Sequence, residues 1–268
     1  MLKGSRLAFR TLTLIAALLL SACVTVVETP FNKKASAEKA VENYTQLGLG
    51  YLRQGRNDLA RQRLRKAMSI NDDYAPANDA MGLLWQSEGE AELAEEAFSK
   101  AISLDGDFTL AKHHLGRLYL QTSRFEDAQE VLSEAATDPY YENRANAYAD
   151  LAMSYYRSGG TEQAIQSYRE ALRITPYNVD ALVNISTLLF EAQQYAESQK
   201  YFDRFERLVS REQTRHSAHS LWLGIKLATI SQDTRHTVEL ATQLKQHFPD
   251  SREYKLYQQS LSDSAAGR

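Results

Sequence analysis

The chain has 268 residues, 43% of them hydrophobic and 24% charged, and a formal net charge of −3. That balance describes a folded body with a solvated surface and lacks the strongly basic footprint that nucleic-acid binding requires. A single cysteine, Cys23, excludes a disulfide within the chain.

At the start, Lys3, Arg6 and Arg10 surround or precede an apolar run from Leu12 to Leu20, which ends at Leu20-Ser21-Ala22-Cys23. A positive beginning, an apolar core too short to span a bilayer as a helix and small residues before a cut describe a secretory signal peptide, assigned to residues 1–22. Its ending resembles the bacterial lipobox, in which the cysteine becomes the acylated first residue of the mature chain, so Cys23 is the expected lipid attachment site. Val24 follows, where an Asp would resemble an inner-membrane retention signal. The expected address is therefore the outer membrane, with the body in the periplasm. Each buried acyl methylene contributes about 0.8 kcal/mol, so several chains on one residue anchor stably. Residues 23–39 contain Pro30, Lys33 and Lys34 with little periodicity and read as a lipidated flexible tether.

Residues 40–261 carry an internal repeat. Gly48, Gly82 and Gly116 lie 34 residues apart in one framework of large and small side chains. Counting each copy from Val41, Ala75 and Thr109, position 8 is the glycine, position 11 is Tyr51, Trp85 or Tyr119, position 20 is Ala60, Ala94 or Ala128, position 24 is Leu64, Phe98 or Leu132, and position 27 is Ala67, Ala101 or Ala135. This is the tetratricopeptide pattern, in which small residues let two antiparallel helices approach while large ones fill the space between them. A fourth copy starts at Ala145, two residues late, so the insertion falls between Thr137 and Arg144, where Asp138-Pro139 stops a helix. The fifth, from Val179, places Phe205 where a small residue is usual, and the sixth, around Trp222, Leu223 and Gly224, is degenerate, as terminal repeats commonly are. No stretch alternates with period two. The expected fold is all-α, a right-handed superhelical array of about six helix-turn-helix repeats. A helix over Ser251–Gln259 would cover its end, and residues 262–268 read as a disordered tail.

No catalytic motif emerges. His216 and His219 share one helical face at i, i+3 but lack further ligands in a recognised zinc spacing, and His113 and His114 point to different faces. There is no phosphate-cradling glycine loop and no nucleophile elbow. The expectation is a protein that binds other proteins, without enzymatic activity, metal, cofactor or small-molecule substrate. In tetratricopeptide arrays the first helix of each unit lines a concave face, and that resemblance directs Leu49, Leu52, Leu83, Leu120, Met153, Tyr156 and Phe190 into it, together with Thr45, Asp79, His113 and Arg117. The apolar members form a candidate stripe for an amphipathic helix or extended hydrophobic segment; the competing reading packs them against the adjacent repeat. The first copy is basic from Arg53 to Lys66 and the second acidic from Glu88 to Glu96, a contrast that suits ion pairs between stacked helices; the alternative is an anionic lipid or acidic partner.

Three segments carry a narrower likeness. Tyr44-Thr45-Gln46-Leu47-Gly48-Leu49-Gly50-Tyr51-Leu52 opens the first copy, Asp138-Pro139-Tyr140-Tyr141 precedes Arg144-Ala145, and Leu221-Trp222-Leu223-Gly224-Ile225 is followed by Phe248-Pro249-Asp250-Ser251. In that order, after a lipobox, they resemble the type IV pilus biogenesis and stability lipoproteins, often called PilF or PilW. The resemblance implies a pilotin: an outer-membrane lipoprotein that binds the pilus secretin subunit and promotes its localisation and multimerisation, hence pilus assembly and twitching motility. The alternative within the same class is a general repeat adaptor that organises periplasmic envelope enzymes such as peptidoglycan hydrolases or proteases.

Overall fold

A computed structural model describes residues 30–266, and every regular element among them is a helix. Six pairs follow one another: α1 Pro30–Arg53 with α2 Asn57–Ile70, α3 Ala75–Glu88 with α4 Ala91–Leu104, α5 Thr109–Gln121 with α6 Phe125–Thr137, α7 Arg144–Arg157 with α8 Thr161–Ile174, α9 Val179–Glu191 with α10 Tyr195–Ser210, and α11 Ala218–Ile230 with α12 Thr234–His247. A last helix, α13 Arg252–Ala266, closes the array. The signal peptide, Cys23 and residues 24–29 lie outside the described residues.

The small residues work as the repeat frame requires. A Cβ placed on Gly48 would stand 2.5 Å from Leu64 Cδ2, and one on Gly82 2.5 Å from Phe98 Cδ1, so position 8 of each first helix is pressed onto position 24 of its partner. The alanines at positions 20 and 27, from Ala60 and Ala67 through Ala164 and Ala171, are fully buried. The fifth repeat solves the same contact differently. Ser186 and Ser198 occupy positions 8 and 20, and their buried hydroxyls bond reciprocally to the opposite backbone, Ser186 Oγ to Ser198 O at 3.0 Å and Ser198 Oγ to Ser186 O at 2.7 Å. Two buried hydroxyls so satisfied cost little, whereas one left alone would be expensive.

The turn inside each pair needs one left-handed residue. Gly55, Gly89 and Gly159 supply it with φ of 68°, 82° and 91°, but Ser123 and Gln193 fill the same place at 61° and 60°. Between pairs, Asn71 and Asp105 accept from the backbone of Asp73 and Asp107 in Asx turns, so these residues turn the chain without capping the helix that follows. Asn178 does cap, accepting from Ala181 N at 2.9 Å.

Two expected boundaries move. Residues 30–39, read as tether, are the opening turns of α1: Pro30 suits the first helical position, and the alanines at 35, 37 and 40 favour continuation. By the α-helical rise, α1 projects about 16 Å beyond the point where the first repeat begins. At the other end α13 runs to Ala266, through most of the segment read as tail, because Tyr254 and Tyr257 pack against the Leu221, Leu240 and Leu244 cluster and hold the helix in place.

Candidate protein-binding groove

The first helices of successive pairs put the expected groove residues side by side, though not as one apolar stripe. Leu49 and Leu52 are half-buried against Ala60, Leu64 and Leu84. Leu83 and Leu120 pack in the same partial way against the Phe98 and Leu132 cluster, and Phe190 against the Leu189 cluster. Each presents one flank to solvent and one to the core, so both competing readings of these positions apply to the same side chains. Tyr156 is 38% exposed and donates its hydroxyl to Glu191 at 3.1 Å. Phe190 lies under Lys226, whose Nζ stands 4.3 Å from the ring centre, and burial lowers the pKa of that amine. Thr45 and Asp79, expected in the groove, are buried instead: Thr45 bonds back to Val41 O at 2.8 Å, and Asp79 accepts from His114 Nδ1 at 2.8 Å.

The middle of the groove is polar. A concavity of about 560 Å³ is lined by Leu110, His113, Arg117, Asn146, Asp150 and Met153, with Asn184 opposite. His113 holds its floor. The Asp150 carboxylate can only accept, so His113 Nε2–H donates to it at 2.9 Å, which leaves Nδ1 to accept from the Tyr141 hydroxyl at 2.7 Å. Burial pushes the Tyr141 phenol up to about 12. Arg117 reaches the same carboxylate at 3.8 Å, with its side chain more than half exposed. Tyr141 arrives by the insertion between α6 and α7, where Asp138 accepts from Thr109 and from Tyr140 N; the Thr109 bond, more than any other contact, holds that carboxyl below its usual range. The neighbouring histidines thus turn in opposite directions along the array, His113 toward the fourth repeat and His114 back to the second.

His216 and His219 part company. His216 Nδ1 meets Ser220 Oγ at 3.2 Å, while His219 Nε2 meets Thr187 Oγ1 at 2.9 Å in the preceding repeat. Among the described residues no three His, Cys, Asp or Glu side chains converge on a point that would hold a metal ion. Asp150, Asn146 and Asn184 were not singled out from the sequence, although Asp150 falls on the inner side of α7 by simple helical spacing from Met153 and Asn146.

The groove therefore offers half-buried leucines at one end, hydrogen-bonding groups in the middle, and a tyrosine and a lysine-capped phenylalanine at the other. Apolar anchors and backbone-compatible polar groups in series have the chemistry to hold a polypeptide. Residues 113–179 match the tetratricopeptide repeat model. Over 248 residues the chain is 29% identical to the type IV pilus assembly protein PilF of Pseudomonas aeruginosa, covering 92% of this chain and 96% of that protein. The chain is a tetratricopeptide-repeat protein similar to PilF and PilW. The solved structure of Pseudomonas aeruginosa PilF superposes with a TM-score of 0.78 over 84% of this chain and 99% of that one, at 29% identity. The crystal structure of PilW, described as a widely conserved type IV pilus biogenesis factor, gives a TM-score of 0.70 at 22% identity, covering 81% of this chain and 97% of that one, and supports the fold. The PilF/PilW likeness thus spans the repeat array and not merely the central repeats.

Proposed function

We propose that this protein serves type IV pilus biogenesis as a pilotin: a non-catalytic lipoprotein, anchored to the outer membrane through Cys23, that captures the pilus secretin subunit in the concave groove and promotes its assembly into the ring. The observation that carries the reading is the near-full-length relation to PilF, a type IV pilus assembly protein, combined with a preformed groove of mixed apolar and polar character. A preformed superhelical surface spends little ordering entropy when it binds, which suits capture of an unassembled partner. In this reading a lipid at Cys23 supplies the membrane address for the repeat body.

The test is the assembly state of the secretin in a strain lacking this chain. Monomeric secretin and lost twitching motility are expected, with both restored by the wild-type chain and not by Cys23→Ser. Fully multimeric secretin in the deletion strain would remove the proposal.

A further inference from the structure

We infer that the open end of the first repeat is a docking surface for an anionic phospholipid bilayer. Between residues 30 and 70 stand nine Lys or Arg against three Asp or Glu, six positive charges in excess in a chain whose overall charge is −3. The contrast with the acidic second repeat accounts for little of this by ion pairing. Arg61 reaches forward to Glu88 and stacks 4.7 Å over Trp85, but Arg63, Arg65 and Lys66 have no carboxylate partner among the described residues. The geometry of α2 explains the difference. Two residues along a helix turn the side chain by about 200°, so if Arg61 faces the second repeat, Arg63 faces the opposite way, toward the end of the array where no preceding repeat packs among the described residues. Arg63 lines a shallow depression with Tyr44, joined by Arg65 and Lys66 from the outward face of α2, and the buried Nε of Arg63 has no hydrogen-bond partner among the described residues.

The same missing neighbour uncovers an apolar residue. Position 7 of the third, fourth and fifth repeats, Leu115, Leu151 and Ile185, is at most 5% exposed because the preceding pair covers it, while Leu47 in the first repeat is 49% exposed. Leu47 lies one turn from Tyr44 on α1, so an exposed leucine and a tyrosine adjoin the unpaired cations. A shallow, cationic surface with apolar and aromatic side chains beside it matches a headgroup layer, where phosphates take the charges and the acyl boundary takes the leucine. A second copy of this end would bring like charges together, which disfavours stacking of two chains through it. The inference stands apart from the partner of the groove and from acylation of Cys23.

The test uses the full chain with Cys23→Ser, so that no acyl group contributes, in flotation with phosphatidylglycerol–phosphatidylcholine vesicles and with phosphatidylcholine alone. The parent is expected to prefer the anionic vesicles, with a preference that fades as salt rises. Arg65→Gln with Lys66→Gln, both exposed and outside any ion pair, should weaken that binding about thirtyfold, while Leu47→Gln weakens binding to both vesicle types. Equal flotation of the parent and the double variant would overturn the assignment, as would the absence of any preference for phosphatidylglycerol. Charge-dependent capture of polyglutamate without vesicle binding would reassign the surface to an acidic protein, and vesicle-free self-association abolished by Leu47→Gln would reassign it to a second copy.

Discussion

At the scale of single residues, the glycines separate by what surrounds them. Gly82 has no room: a methyl group there meets the Phe98 ring at 2.5 Å, and the ring is itself fully buried. Gly50, in the same kind of helix, meets nothing within 4 Å. Gly82→Ala is therefore expected to destabilise the array by about 1–3 kcal/mol despite alanine's better helix propensity, and Gly50→Ala to stabilise it by about 0.5–1 kcal/mol. Urea denaturation of the two variants beside the wild type checks both signs at once; two variants moving in the same direction would contradict the contact geometry. The left-handed turn residues make a complementary case. Gln193 holds φ at 60° where the first, second and fourth repeats use glycine. Relieving that strain should make Gln193→Gly more stable by about 0.5–1 kcal/mol, visible as a higher denaturation midpoint, whereas Gly159→Gln should lower it.

At the scale of the element, the helices and their pairing were legible because small residues at positions 8, 20 and 27 have one physical use, close approach of two backbones. What each helix shows to the groove was less legible. Position five of the frame lies at the border of core and concave face, and a modest rotation buries Thr45 and Asp79 there while leaving Asp150, at position six, partly accessible. Nor did the sequence foretell that the two-residue insertion would carry Tyr141 to His113, since that depends on the path of an irregular connection. The overhang of α1 is not legible in the sequence because a helix without a packed neighbour needs no apolar periodicity. Phe205 was visible as an oddity at position 27, but its neighbour was not. His216 stands edge-on to the Phe205 ring at 5.2 Å, and burial, followed by the charges of His236 and the opposing Glu239, lowers its pKa to about 4. Above pH 6.5 the imidazole is neutral in folded and unfolded chains alike and costs nothing. As pH falls from 6.5 toward 4 the unfolded chain gains a proton that the folded chain refuses, so stability is lost across that window. With allowance for partial exposure, the loss amounts to about 1–2 kcal/mol, and His216→Gln should remove it. Denaturation midpoints measured from pH 7 to 4 for both proteins isolate the effect, because the raised pKa of Glu206 acts in each. Parallel pH profiles would show that His216 is free to protonate in place.

At the scale of the whole molecule, a repeat array is a chain of interfaces, and its weakest interface decides how it opens. The junction between the fifth and sixth repeats has the marks of that interface. The core narrows there: of the cluster that reaches from the fourth repeat through Phe202, Phe205 and Leu208, only Leu223 and Leu227 come from the sixth repeat, while Leu221, Ile225, Leu240 and Leu244 form another beyond it. A cavity of about 680 Å³, lined by Val209, His216, Leu221 and Phe248 among others, opens at the seam. The connection that crosses it contains Glu212 with φ of 56°, a left-handed conformation outside glycine's ease. Contact is kept where Leu223 and Leu227 join the fifth-repeat core and where Phe202 touches Gly224, at which an added Cβ would come within 2.7 Å of the ring. Hydrogen exchange should accordingly divide the protein in two. Amides of α11, α12 and α13 are expected to exchange through a shared local opening, about ten- to a hundredfold faster than those of α3 to α8, which open only with the rest of the array. Gly224→Ala should widen that gap by pushing the sixth repeat off Phe202 while leaving exchange in α3 to α8 unchanged. Uniform protection from α3 to α12 would mean that Leu223, Leu227 and the Phe202–Gly224 contact couple the sixth repeat as firmly as the alanine-lined junctions couple the others. The division matters for the groove, because Lys226 sits on the mobile side and Phe190 on the fixed one. A partner that bridges the two would close the seam, and its binding should slow exchange in α11 and α12 even at amides it does not touch.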